Sequence, residues 1–304
     1  MSTVLQVVKP MALTDAMLIA TNVTEADYAA YAAGTTYALG ARVIVVATHK
    51  IYESLQAANV GHDPTLAASA TWWIEVSPTN RWKAFDGSNS SQTVKATSIT
   101  YQIRPGKAIT AVSLLNLTGA TSVRIRLVDA TYGTVYDKTT SLSTLPSTPS
   151  WWSWTFGARV APTLSVATDL PSIPTADLYI DLAGTTDLAV GVIAFGQARS
   201  IGMGVQHGAR LGIQDYSRKE TNDYGDTVLV QRAYAKTANF DMFLERAEVD
   251  RTSSYLVSLR ATPCLWIGSA QYEATVIYGF YKDFAVTISY PTVSDCSLQI
   301  EGLT

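Results

Sequence analysis

The sequence predicts a mainly β, multidomain protein, and three observations carry that reading. Apolar residues recur at a two-residue period in separate segments: Ile99, Tyr101 and Ile103; Val123, Ile125 and Leu127; Leu178, Ile180 and Leu182; Phe284, Val286, Ile288 and Tyr290. Half-buried antiparallel strands write this pattern, because successive side chains point to opposite faces of a sheet. Thr supplies 37 of the 304 positions and aromatic residues 10%, and β-branched and aromatic side chains pack well on a pleated surface. Helix-period patterns are scarce. At roughly 100 to 200 residues per domain, this length favours two or three domains over one.

Taken in order, the chain begins with an apolar stretch. Residues 1–20 lack a basic region, apolar core and small-residue cleavage site in succession, so no export by a signal peptide is expected. Residues 1–24 read as a docking arm that packs on something, another subunit included. Within residues 25–80, Tyr37, Gly40 and Val43 form a Y-x-x-G-x-x-V unit, followed by Tyr52, Pro64 and the pair Trp72 and Trp73. This order resembles the small chitin-binding and cellulose-binding module appended to chitinases, and related inserts in bacteriophage tail proteins. The resemblance covers about 40 residues and implies a tiny three-stranded sheet. Gly40 would permit a tight turn before Val43, Tyr52 would start the return strand, and Pro64 would end it. In that family, an exposed tryptophan pair just after the second tyrosine stacks on sugar rings. Leu55, Gln56 and Ala57 stand at the matching positions here. The resemblance therefore assigns Tyr37, Tyr52, Trp72 and Trp73 as the candidate carbohydrate-binding residues. Trp72 and Trp73 are either packing residues or platforms, since neighbours on a strand point to opposite faces.

Residues 81–200 read as a β-sandwich. Their opening, Arg81-Trp82-Lys83-x-Phe85-Asp86, resembles the start of jelly-roll domains joined to such modules in phage tail proteins. The segment 141–150, with Pro146 and Pro149, reads as a long loop. The cluster Trp151, Trp152, Trp154 and Phe156 that follows reads as core or subunit interface rather than a ligand-facing edge. Gly202 to Gly208 reads as a flexible connection. Residues 201–304 read as a C-terminal β domain with at most one helix. Phe240, Phe243, Leu244 and Ala247 have the spacing of one amphipathic helix, which Asp250 to Ser254 could equally interrupt. Tyr278, Phe280 and Tyr281 around Gly279 read as a packed corner or an interface. This stretch resembles terminal β domains of phage tail and baseplate components.

Composition narrows the functions. Charged residues are 15%, and 22 basic against 25 acidic residues give a formal net charge of -3 with no long run of either sign. A phosphate-tracking surface is not evident, and nucleic acid is not an expected partner. Apolar runs such as Val43 to Ala47 and Leu188 to Phe195 fall far short of the roughly 20 residues a membrane helix needs. Cys264 and Cys296 are too few for a disulfide framework and read as buried thiols. His49, His62 and His207 lack metal-ligand spacing, so no zinc is expected. Asp86, Asn89 and Ser90 offer oxygens to calcium, but read as an ordinary turn. Neither a G-x-S-x-G elbow nor an H-E-x-x-H helix occurs. Asp177 and Asp181 would lie about 13 Å apart along a strand, too far for either glycosidase geometry.

The expectation is a non-enzymatic structural component of a bacteriophage tail tip or baseplate, without cofactor, with a role in recognising host-surface polysaccharide. Expected partners are other tail or baseplate proteins and further copies of itself in a symmetric assembly, placed in the virion after synthesis in the host cytoplasm. A virion depolymerase or a free bacterial chitin-binding lectin is the alternative.

Overall fold

A computed structural model describes residues 4–142, 150–156, 161–206, 208–221, 226–269 and 272–303. His207, the side chain of Trp154 and most of the loop at 141–150 lie outside the described residues. In chain order the first strands are β1 (Leu5–Val8), β2 (Leu18–Thr21), β3 (Arg42–Val45), β4 (Lys50–Ser54), β5 (Trp73–Pro78) and β6 (Thr93–Val94). Then come β7 (Ser98–Ile103), β8 (Ala111–Asp129), β9 (Gly133–Ser141), helix α1 (Trp151–Phe156), β10 (Leu164–Ala167), β11 (Asp177–Gly196) and β12 (Ala198–Ile201). The remainder comprises β13 (Arg210–Asp215), β14 (Arg218–Thr221), β15 (Thr227–Val230), β16 (Tyr234–Glu245), helix α2 (Val249–Ser258), β17 (Cys264–Ile267), β18 (Val276–Thr287) and β19 (Val293–Gly302). The protein is mainly β and sandwich-like, with its longer helix in the C-terminal part.

Two seven-stranded antiparallel sheets form the bulk. The middle sheet runs β10-β8-β11-β7-β2, with β6 on β11 and β9 on β8; the C-terminal sheet runs β12-β1-β17-β18-β19-β16-β13. A separate three-stranded sheet is β3-β4-β5, and β14-β15 is an isolated hairpin. The N-terminal segment docks within its own chain. β1 is inserted between β12 and β17, with Val7 opposite both Arg199 and Trp266, while β2 adds to β7 of the middle sheet.

Alternation decides the inner core of the middle sheet. Ile99, Tyr101, Ile103, Val123, Ile125, Leu127, Leu178, Ile180 and Leu182 are all buried in one cluster. Where β8 and β11 run under the C-terminal sheet, both faces are covered. Val112, Leu114, Val190 and Ile193 enter the inner cluster, whereas Ala111, Leu115, Val192 and Ala194 pack on Leu265, Ile267 and Val276. This double burial explains why Leu188 to Phe195 reads as a continuous apolar run, as in strands covered on both faces. On its far side, the C-terminal sheet buries Phe240, Met242, Leu244 and Trp266 beneath Leu256 and Leu259, from α2 and the residue after it.

Several expectations are corrected. Phe240 to Leu244 do not form a helix. They lie on β16, where Phe240, Met242 and Leu244 face the core at period two, and the helix begins at Val249 and includes Asp250 to Ser254. A strand burying every second residue places Phe243 outward, at 39% exposure, so its three-residue spacing from Phe240 was coincidental. Of the two roles expected for the rings at 151–156, core or interface, the core role fails for three of them: α1 leaves Trp151 71%, Trp152 65% and Phe156 62% exposed. Alternation at the C-terminus stops at Thr287, leaving Ile288 and Tyr290 exposed. The segment 202–206 is tied down rather than free. Met203 N donates to Phe243 O (2.9 Å) and Gln206 N to Asp241 O (2.7 Å). Around Gly279, Tyr278 packs toward the middle sheet and Tyr281 stands edge-on to Trp266 at 6.4 Å.

Candidate carbohydrate-binding site

The four candidate residues converge on the small sheet β3-β4-β5. Gly40, at φ +77°, makes the left-handed turn into β3, and its N–H donates to Ser54 O (2.8 Å). Such a backbone position favours glycine, which lacks the Cβ that clashes there. Val43 then faces Tyr52 directly across the β3–β4 pair, and Tyr52 faces Glu75 of β5. Val43, Tyr52 and Trp73 are the buried centre, with Tyr31, Tyr37, Val45 and Trp72 packed around them.

Trp73 is the keystone of this cluster. It is 4% exposed, and its indole N–H donates to His62 O (2.8 Å). Tyr31 and Tyr37 meet it edge-on at 6.0 and 5.2 Å and stack on each other at 5.9 Å. Tyr37 also accepts from Ala32 N (2.8 Å) through its hydroxyl. Edge-to-face rings at these separations add stabilisation beyond the area they bury. All four candidates thus have their rings engaged in packing. Trp72, half-buried, lies parallel to His62 with centroids 3.9 Å apart, and retains open surface. Leu55 and Leu66, also on this module, are exposed.

The sequence reading missed His62 and Tyr31 as members. His62 lies ten residues from Trp72 and Tyr31 six from Tyr37, spacings with no local period; only the three-dimensional sheet joins them. The Tyr31 hydroxyl is buried without a hydrogen-bond partner among the described residues, and burial raises its pKa. Nearby, the Asp63 carboxylate is held below its usual range by the Thr65 N–H and hydroxyl (2.9 and 2.8 Å).

The module is anchored through its β3–β4 turn. His49, at φ +55°, lies 2.9 Å from Glu25 Oε1 and 2.8 Å from Asp15 Oδ1, and stacks on Trp82 at 4.3 Å. Glu25 also accepts from the Thr79 hydroxyl (2.8 Å). These contacts join the small sheet to segments flanking the middle sheet.

The acidic residues weighed for hydrolysis are engaged elsewhere. Asp177 accepts two bonds from Arg104 (2.7 and 2.8 Å), which hold its carboxyl below the usual range, and Asp181 pairs with Arg126 (2.8 Å). Asp86 accepts from Ser88 N (2.7 Å) and the Ser91 hydroxyl (2.5 Å), the bonds of a turn. Among the described residues, no group of three or more His, Cys, Asp or Glu is placed to hold a metal ion. No helix among them is long and apolar enough to cross a membrane. Neither a protein-family model nor a curated protein sequence matches the chain.

Proposed function

We propose that the chain is a structural subunit of a bacteriophage tail tip or baseplate that takes part in recognising a host-surface glycan. The observation that carries the assembly part is uncovered apolar surface. β13, β14 and β15 expose every residue, with Leu229 at 75%, and α1 presents three aromatic rings to solvent. A lone two-stranded hairpin with both faces in water is marginal, so it gains order when a neighbouring subunit covers it. Its two edges differ: β14 carries Arg218, Lys219 and Glu220, whereas β15 (Thr-Val-Leu-Val) is uncharged. Charge protects a free edge from pairing, and β15 lacks that protection.

The phage and glycan parts are supported by the resemblance of residues 34–73 and 78–93 to the module and jelly-roll opening found in tail proteins. Trp72 on His62 is the platform that remains available to a sugar face. Several copies around a symmetric tail would raise avidity by orders of magnitude without a tight individual site. Sedimentation of the purified chain tests the assembly: self-association or capture into tail particles is expected. A stable monomer with its own glycan affinity favours the lectin. Sustained release of reducing ends from host polysaccharide favours the depolymerase.

A further inference from the structure

A concavity lies away from the small sheet, between β8 and β10 of the middle sheet and β16, β18 and β19 of the C-terminal sheet. It is a cleft of about 340 Å³ lined by Asn89, Asn116, Thr163, Tyr234, Lys236 and Tyr278, among others. We infer that this cleft binds an acidic saccharide, with Lys236 meeting the sugar carboxylate and the tyrosines and amides meeting its ring and hydroxyls. The inference deepens the glycan reading above, and rests on it for biological setting though not for chemistry.

Two local departures from sheet rules converge here. The first is Asn116, in the interior of β8, with a left-handed backbone at φ +53°. Asparagine adopts that conformation more readily than other non-glycine residues, but inside a strand it interrupts the ladder, and left-handed non-glycine positions recur at functional sites. Here Gly191 accommodates it: a methyl at Gly191 would stand 2.7 Å from the Asn116 Cβ. The Asn116 amide donates to Asn89 O (2.6 Å), and its backbone carbonyl accepts from Gln92 (2.9 Å). Its side-chain oxygen has no hydrogen-bond partner among the described residues.

The second departure is Lys236. Its position on β16 continues the alternation of Ala238, Phe240, Met242 and Leu244, the face that builds the core. It is half-buried, yet its side chain makes no ion pair or hydrogen bond among the described residues. Its stem is covered while its ammonium keeps contact with water, which leaves the charge open to an anion entering the cleft. The acids nearby are committed: Glu273, at the rim, accepts from Thr163 (3.2 Å), and Glu301 pairs with Lys282 and Tyr216. Among the described residues no Asp or Glu side chain lines the cleft, so Lys236 is the charged side chain that the described lining presents. One lysine matches one carboxylate rather than a polyphosphate, which calls for several cations. Tyr234, exposed, and Tyr278, half-buried, supply ring surface for the apolar face of a pyranose.

The test is calorimetric titration of the full chain with a tetrasaccharide of alternating glucuronate and N-acetylglucosamine, against neutral chitotetraose. The acidic tetrasaccharide is expected to bind, and Lys236→Met to weaken it at least tenfold while leaving chitotetraose unaffected. Asn116→Gly suits the left-handed backbone, so it should preserve Tm while lowering affinity for the acidic sugar. No binding of the acidic tetrasaccharide at millimolar concentration overturns the inference, as does binding indifferent to both Lys236→Met and Asn116→Gly. Chitotetraose binding lost only in Trp72→Ala would then leave the glycan reading standing without the cleft. Absence of the protein from tail particles would remove the assembly reading without touching the cleft.

Discussion

Replacing Trp73 and Trp72 separately by alanine distinguishes a ring that builds the module from a ring that faces outward. Trp73 is almost wholly buried and donates to His62 O. Truncating such a ring costs about 3–5 kcal/mol, and the lost hydrogen bond adds about 1 kcal/mol. A core of this size supplies roughly 3–5 kcal/mol in total, so Trp73→Ala should unfold β3–β5 while both large sheets persist. Trp72 is only half-buried, and losing the covered half of its surface costs about 1–2 kcal/mol. Trp72→Ala should therefore keep the module folded and lose whatever sugar affinity the platform has. Hydrogen exchange read by peptide resolves the two cases, because local unfolding is reported segment by segment. Trp73→Ala is expected to abolish protection in Val43–Val45 and Ile51–Ser54 while Ile99–Ile103 and Leu178–Leu182 stay protected. Native protection of the module in Trp73→Ala, or equal loss in Trp72→Ala, would refute this assignment of roles.

Three further outcomes follow from the geometry. Cys264 and Cys296 are buried and their thiols are pushed up to about 11, chiefly by burial, so a disulfide reagent at pH 8 should titrate neither in the native chain and both in guanidinium. Asp129 and Asp177 are held below their usual range, the first by Thr175 and two turn N–H groups and the second by Arg104. Their folded pKa values lie below the unfolded ones, so the stability they contribute is complete above about pH 4 and is lost as pH falls through the folded values. Denaturant midpoints should be level from pH 7 to 5 and decline below 4, and Asp177→Asn should reduce that decline. In the isolated chain, amides of β13–β15 should exchange orders of magnitude faster than those of β8 and β11, and gain protection on assembly.

The sequence disclosed those parts of the fold in which one face is buried and the other wet. Ile99 to Ile103, Val123 to Leu127 and Leu178 to Leu182 are legible because burial alternates along each strand. Leu188 to Phe195 is recognisable as buried but not as strand, since both faces are covered and periodicity vanishes. β16 misled because Phe243, an outward ring beside an inward Phe240 and Leu244, mimics a helical stripe. For Trp151, Trp152 and Phe156, aromatic density argues equally for core or for interface, and their exposure removes only the core alternative. The insertion of β1 between β12 and β17 joins residues about 260 positions apart, which no local pattern encodes. In the module, Tyr37, Tyr52, Trp72 and Trp73 were legible as a set, but Tyr31 and His62 enter only through folding. The cleft was invisible because Asn116 and Lys236 are ordinary residues in sequence and unusual only in backbone or burial.

The assembly role is tested most directly by locating the protein in purified tail-bearing particles, by density or by gold label on a tagged chain. The account predicts several symmetry-related copies at the tail tip, with β13–β15 and α1 covered by neighbouring chains. Particles that lack the protein, or density in which those surfaces face solvent in every copy, would contradict it.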